Sequence, residues 1–333
     1  MSRVFYDRDA DLKHLDGKTV GIIGYGNQGR AQALNLRDSG VSVLVGGLED
    51  TYLDMAREDG QEVSGIKETV QKSEIILMLI PDEVEPAVYA EHVRQNLREG
   101  TMLCFASGYN IHFQEIVPFE HVDVVLLAPR TLGLAVRETF TRGTGVPADV
   151  AVWRDHTGTA WPTLLALAKG IGCTRIGAFE SSFREEVELD LFSKQALWPA
   201  LFDCLLTGFE VRVERGYSPE AVALEFYASG EAADIFLEMA TQGLFAQMRF
   251  HSLTSQYGVL SQYKGATGLG LRRRMEEVLA KIRDGSFARE WAQEAKAGYP
   301  TLKKLRQEAE SHLLNATDQR IRKSLSWSLP KDG

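Results

Sequence analysis

The stretch "TVGIIGYGNQGRAQALNLRDSG", residues 19–40, decides how the N-terminal half is read. Its opening, "TVGII", is apolar and rich in β-branched residues, the composition of a strand buried on both faces. Its close, "NQGRAQALNLRDSG", has apolar residues at helical spacing and stops at Gly40. Between them Gly24, Gly26 and Gly29 make a GxGxxG pattern, which carries meaning only between a strand and a helix. Gly24 permits a tight turn, Gly26 lets the backbone approach a pyrophosphate, and Gly29 lets the helix lie close to the strand. The free N–H groups and positive dipole end of the helix then face the phosphates. Gly24, Tyr25, Gly26, Asn27, Gln28 and Gly29 are therefore expected to cradle a dinucleotide.

Working outward, "VSVLVGG" (41–47) reads as a second strand and "YLDMAREDG" (52–60) as a second helix. The apolar runs "EIILMLIP" (74–81), "TMLCFAS" (101–107) and "VDVVLLAP" (122–129) continue the alternation. Near-continuous apolar strands separated by helices predict a parallel sheet covered on both faces. From about residue 180 strand signals cease, and helical stretches follow over 183–214, 218–247 and from 271 onward. The expected organisation is an α/β Rossmann-type domain over 1–181, an all-α domain over 182–327 and a tail over 328–333. The chain after about 316 offers little to anchor it.

The loop after the second strand, "GGLEDTYLD", places Glu49 and Asp50 about twenty residues beyond the glycines. A carboxylate there accepts hydrogen bonds from ribose hydroxyls and repels a 2′-phosphate, and no arginine lies between Gly46 and Ala56. The expectation is NADH in preference to NADPH. A net charge of −9 argues against a nucleic-acid binder, and the apolar runs are too short to cross a bilayer. Cys104, Cys173 and Cys204 form no CxxC pair and read as small buried hydrophobes of a reducing compartment. With a polar N-terminus, "MSRVFYDRDADLKHLDGK", the expected location is cytoplasmic, with no nucleic-acid or membrane partner.

In the second half, "ELDLFSKQAL" (188–197) puts Asp190 and Lys194 one helical turn apart, on a face expected to point inward. The pair is either an inert ion pair or part of a rebuilt active site. His112 reads as structural, and Phe192 and Trp198 as core or interface packing.

The blocks "FYDRDADLKHLDGKTVGIIGYGNQGRAQALNLRDSG", "LIPDE", "GYNIHF", "EVELDLFSKQ", "GYSPE" and "SQYG" occur in order from Phe5 to about Trp327. Together with "KIRDGSFAREWAQEAKAGYPTLKKLR" they resemble the short, class I form of the ketol-acid reductoisomerase family. That resemblance implies NAD(P)H- and magnesium-dependent conversion of acetohydroxy acids to dihydroxy acids, by alkyl migration and then hydride transfer. It also implies a homodimer joined through knotted helical domains, with active sites composed of both subunits. In the family, two magnesium ions are held by four carboxylates, an Asp and Glu four residues apart and two Glu four residues apart. This chain keeps Asp190 and Glu225 at the first position of each pair but has Lys194 and Ser229 at the second. Ser107 replaces the family's histidine, Arg130 its lysine, and Val187 and Leu189 its threonines, while the substrate-contacting serine survives as Ser252. Pro81 and Ser107 fall beside the cofactor by the same correspondence.

Asp190, Lys194, Glu225, Ser252 and Arg130 are thus the candidate catalytic residues, with Asp190 and Glu225 the remaining ligands for at most one weakly held magnesium. An ammonium at Lys194 would repel two divalent cations. The expected enzyme is a reductase of a C=O or C=N bond in a small carboxylate-bearing substrate, without the two-metal migration. In it Lys194 donates to the developing charge and Arg130 grips an anion or a cofactor phosphate. Alternatives are a working ketol-acid reductoisomerase and an inactive nucleotide-binding paralogue, the latter disfavoured by the intact "GYGNQG".

Overall fold

In a computed structural model of the chain, residues 3–263 and 268–324 are described. The chain forms two compact units that divide between Leu189 and Asp190. The first holds nine strands: β1 (Val4–Phe5), β2 (Thr19–Ile23), β3 (Ser42–Gly47), β4 (Glu62–Gly65), β5 (Ile75–Met78), β6 (Met102–Phe105), β7 (Asp123–Pro129), β8 (Ala148–Arg154) and β9 (Ala178–Glu180). They form one sheet in the order β1-β9-β8-β7-β6-β5-β2-β3-β4. Strands β2 to β7 are parallel, β8 runs antiparallel to β7, and β1 pairs antiparallel with β9 at the edge.

The helices of this unit are α1 (Asn27–Asp38), α2 (Thr51–Glu58), α3 (Ile66–Lys72), the short α4 (Glu85–Val88) and α5 (Tyr109–His112), α6 (Gly133–Thr141) and α7 (Ala160–Gly170). They cover both faces of the sheet. Alternate strand residues feed two buried clusters: Val20, Ile22 and Leu77 lie in one, Ile23, Ile76 and Leu103 in the other. That two-sided burial is why these strands read as unbroken apolar runs. The strand order reverses beside β2, so the glycine loop that follows β2 opens at the sheet's switch point. Strands β1, β4, β8 and β9 lie outside the sequence-read set. β1, β4 and β9 span two, four and three residues, too few for an alternation to register.

Helix α8 (Phe183–Phe192) leads into the second unit, which is helical throughout its described residues. It contains α9 (Trp198–Glu214), α10 (Pro219–Ala223), α11 (Glu231–Gln242), α12 (Leu253–Gln262), α13 (Gly268–Arg283), α14 (Ser286–Lys296), α15 (Pro300–Glu310) and α16 (Leu313–Ser324). The stretch expected as one helix over 183–214 is interrupted by a π turn at Ser193–Leu197. Pro199 has no N–H to give to the carbonyl four residues back, and the ladder widens just before it. The stretch expected over 218–247 breaks at Gly230 and Gly243, both at positive φ.

Two expectations are corrected here. The chain after 316 is anchored through α16: Thr317 and Ile321 are buried, and Asp318 Oδ1 accepts from Tyr227 Oη at 2.6 Å. The amphipathic period of "LLNATDQRIRKS" carried this, but its high polarity hid it. Cys204 is exposed on α9, unlike the buried Cys104 and Cys173, because the buried residue of that helix is Phe209. Residues 328–333, read as a tail, lie outside the described residues. No helix among the described residues is long and apolar enough to cross a membrane.

Candidate cofactor and substrate site

The nucleotide loop is built by backbone chemistry. Gly24 sits at φ 96°, and a Cβ there would meet Leu79 O at 2.7 Å. A Cβ on Gly29 would collide with the Gly24 carbonyl, so this glycine sets how near α1 lies to the end of β2. Gly26 is the N-cap of α1 and no side chain caps that helix, which leaves first-turn N–H groups for an anion. Gln28 Nε2 donates to Thr131 O at 3.0 Å, which ties the loop to the segment before α6. Gly133, absent from the sequence-read set, comes so near that a Cβ on it would strike the Asn27 carbonyl. The intact pattern and the shape of this cradle fit a dinucleotide pyrophosphate.

Tyr25 differs from its neighbours. Its side chain is buried and its hydroxyl donates to Asp59 Oδ2 at 3.0 Å, while Arg30 pairs with the same carboxylate at 2.7 Å. Burial, and then the Asp59 carboxylate, push the phenol well above its usual range. Only the backbone of Tyr25 belongs to the loop, and its side chain is a strut between α1 and the end of α2. Asn27 and Gly26 remain accessible at the loop itself.

The acidic loop is already engaged. Asp50 caps α2, its Oδ1 accepting from Tyr52 N and Leu53 N at 3.0 Å each. Glu49 pairs with Arg57 at 2.8 Å, and Arg57 also holds Asp54 at 2.7 Å. Arg57, in the last turn of α2 and one residue beyond Ala56, thus brings a cation to this loop.

At the C-terminal ends of β5 to β7, Pro81 is exposed, and Ser107 donates to Asp82 Oδ2 at 3.4 Å and accepts from Tyr109 N at 3.2 Å. Arg130, expected to hold an anion, is committed to carboxylates: Nη1 lies 3.0 Å from Glu186 Oε1 and Nε 3.6 Å from Asp149 Oδ2. Glu186 is buried and also accepts from Gly108 N at 2.7 Å. It is the keystone of this corner, and its only sequence signal was a carboxylate one helical turn before Asp190. Burial raises the Asp149 carboxyl, with Arg130 opposing it. A guanidinium paired twice over is a positioning group here, not an open anion grip. His112 packs edge-on against Phe113, and burial lowers its pKa.

In the second unit, Lys194 Nζ donates to Asp190 Oδ2 at 2.6 Å. The pair was expected to be buried, but the Lys194 side chain is 66% exposed and that of Asp190 29%. Val187 and Leu191 occupy the inward stripe of the helix, which leaves 190 and 194 on its flank. Glu225 is exposed in the π turn Leu224–Ala228, and Ser229 follows it, its hydroxyl accepting from Glu231 N at 3.4 Å. Ser252 caps α12, accepting from Ser255 N at 3.2 Å.

These residues do not fit a two-magnesium centre. Two magnesium ions need several anionic oxygen ligands, and here an ammonium, Lys194, stands one turn after Asp190 and a neutral hydroxyl, Ser229, one turn after Glu225, which leaves two carboxylates for at most one magnesium. Phe192 is half-buried and Trp198 exposed, so Trp198, read as core or interface packing, does not lie in the core of this chain.

Residues 14–177 match the acetohydroxy acid isomeroreductase NADPH-binding domain, and residues 183–327 match the ketol-acid reductoisomerase C-terminal domain. A ketol-acid reductoisomerase (NADP(+)) of Pyrobaculum aerophilum is 42% identical over 98% of this chain and 99% of its own length. That of Methanopyrus kandleri is likewise 42% identical over 98% and 99%. Among solved structures, an NADH-preferring ketol-acid reductoisomerase from an uncultured archean superposes with a TM-score of 0.93 at 35% identity, covering 98% of this chain and all of the other.

Proposed function

The chain belongs to the ketol-acid reductoisomerase family, and from that premise we propose that this nicotinamide-dependent oxidoreductase carries out the family's reaction, reductive isomerisation of an acetohydroxy acid to a dihydroxy acid. The observation that carries this reading is the end-to-end likeness: both halves of the chain match, with 42% identity across 98% of its length to enzymes that bear that name. This displaces the expectation of a reductase without isomerisation from first place.

A bound nicotinamide dinucleotide supplies a hydride, and the residues of this chain supply the rest. The glycine loop and the open end of α1 hold the pyrophosphate. Glu186 fixes Arg130 and the Gly108 backbone, which orders the ends of β6 and β7, where the nicotinamide would be held. The carboxylates of Glu49 and Asp50 support NADH over NADPH; one structural relative is NADH-preferring, whereas the Pyrobaculum and Methanopyrus relatives are named for NADP(+). Arg57 is already neutralised by Glu49 and Asp54 and adds little grip for a 2′-phosphate. The enzyme is a cytoplasmic homodimer whose active sites combine Asp190 and Lys194 of one subunit with Glu225 and Ser252 of the other. Its free cysteines suit a reducing compartment.

A second reading, hydride transfer to a C=O or C=N bond without migration, is favoured by one observation: the ammonium of Lys194 at a magnesium-ligand position, 2.6 Å from Asp190. In that case Lys194 donates to the oxygen or nitrogen that gains charge.

The deciding experiment follows NADH and NADPH oxidation with 2-acetolactate and with its isomerised 3-hydroxy-2-keto acid, each with and without magnesium. Magnesium-dependent turnover of acetolactate is expected. Turnover of the keto acid alone, independent of metal, would instead establish the second reading.

A further inference from the structure

At the end of the sheet opposite the glycine loop, three connecting segments bring together side chains unused by the chemistry above. Glu99 precedes β6, His121 precedes β7, and His156 follows β8. Strands β6 and β7 are parallel and β8 runs antiparallel to β7, with Val124 opposite Arg154, so the two strand starts and the end of β8 meet at one end of the sheet. One ligand atom from each of Glu99, His121 and His156 lies within 4.8 Å of the other two. The glycine loop follows the other end of the parallel strands, after β2, so the cluster lies at the opposite end of the sheet from it.

The backbone beneath the cluster is fixed. Asp123, itself buried, accepts from His156 N at 2.7 Å and Thr157 N at 2.9 Å with one oxygen, and from Thr157 Oγ1 at 2.7 Å with the other. Gly100 N donates to His121 O at 2.8 Å, which binds the Glu99 segment to the His121 segment. The imidazoles of His121 and His156 meet edge to face at 5.3 Å, and Phe119 also packs edge to face against His121 at 5.4 Å. His156 Nε2 stands 3.4 Å from Glu99 Oε1. The adjacent guanidinium of Arg154 is turned into the carbonyls of Phe119 and Glu120.

Two imidazoles and one carboxylate on a braced backbone are a donor set for a borderline transition dication. They are not a set for magnesium, which takes oxygen. Around a tetrahedral ion with bonds near 2.0–2.2 Å, donor atoms sit roughly 3.3 Å apart. Closing from 4.8 Å asks only for side-chain rotation, since all three residues are exposed. We propose that Glu99, His121 and His156 form a binding site for a zinc-class divalent ion, with solvent completing the coordination, that clasps the three segments at this end of the sheet.

The test is calorimetric titration of the full-length protein with zinc in excess magnesium, paired with visible absorption of the cobalt(II)-loaded protein. One ion per chain is expected with Kd in the micromolar range, about 1–50 μM, together with cobalt d–d bands and an upward Tm shift on binding. His121→Ala and His156→Ala should each weaken binding by about tenfold or more and abolish the cobalt bands. Asp190→Asn should leave binding unchanged, and reductase turnover should persist in both histidine variants. Absence of uptake below about 1 mM, or uptake undiminished in both histidine variants, overturns the proposal.

Discussion

Lys194 is the residue on which the two proposed readings divide, and its physics is local. As an exposed i, i+4 pair, Lys194 and Asp190 contribute only about 0.3–0.5 kcal/mol, so stability is no reason to keep the ammonium there. Lys194→Glu removes the cation and places a second carboxylate one turn from Asp190. Without metal, two like charges at that spacing cost a few tenths of a kcal/mol beyond the lost pair, together about 1 kcal/mol. The variant should melt about 2–4 °C lower in chelator, and magnesium should raise its Tm by more than it raises that of the parent protein. Differential scanning fluorimetry across a magnesium series reads both effects. A variant that melts low and ignores magnesium would mean that 190 and 194 do not converge on a metal position. The spacing of this pair was legible in the sequence. Its exposure was not, because burial depends on which stripe of the helix faces inward, and Val187 and Leu191 outcompete the charged positions for that stripe.

At the scale of elements, the sequence displayed what repeats and concealed what converges. Strands β2, β3, β5, β6 and β7 were legible because burial on both faces writes an unbroken apolar run, and the glycine loop because its geometry requires glycine. Glu186, Gly133 and Arg57 were not legible, because each acquires its role from a partner elsewhere: Glu186 from Arg130 and Gly108, Gly133 from Asn27, Arg57 from Glu49. Glu85 is a further case, a carboxyl buried at the start of α4 that accepts from Asn110 Nδ2 at 2.7 Å. Burial pushes its pKa well above the usual carboxylate range, and neighbouring Asp82 adds to the rise while Asn110 opposes it. Between the unfolded and folded pKa values the native protein binds the extra proton, so stability falls as pH rises, by at most about 1.4 kcal/mol per pH unit for one group. Glu85→Gln keeps an acceptor for Asn110 and has no proton to lose. It should melt at or near the parent's temperature at pH 4 and above it at pH 8, with a flatter Tm profile between. Parallel profiles for the two proteins would show that Glu85 does not carry the linkage.

The whole molecule poses a surface problem that a single chain leaves open. On α12, Leu253, Tyr257 and Leu260 are spaced i, i+4 and i+7, the stripe by which an amphipathic helix enters a core, yet they are 82%, 77% and 44% exposed. On α9, Trp198 and Phe202 lie one turn apart, both exposed. Scattered apolar residues on a surface need no explanation, but apolar stripes at helical spacing do. Apolar stripes of this kind support the homodimer proposed above. They also give a reason why the residue pattern of the helical half predicted only an all-α domain, while dimerisation was implied by the family resemblance alone: periodicity reports that a face is apolar, not which chain covers it. Light scattering coupled to size exclusion should return twice the 37.0 kDa chain mass at micromolar concentration. Replacing Leu253 and Tyr257 together by Asp puts charge on the stripe. The variant should run as a monomer with near-parental helical circular dichroism and lose most of its turnover, since the proposed active site draws on both subunits. Full activity in a monomeric variant would show that one chain assembles the whole site. A monomeric parent protein would leave the exposed stripes to a different partner and remove the composite site altogether.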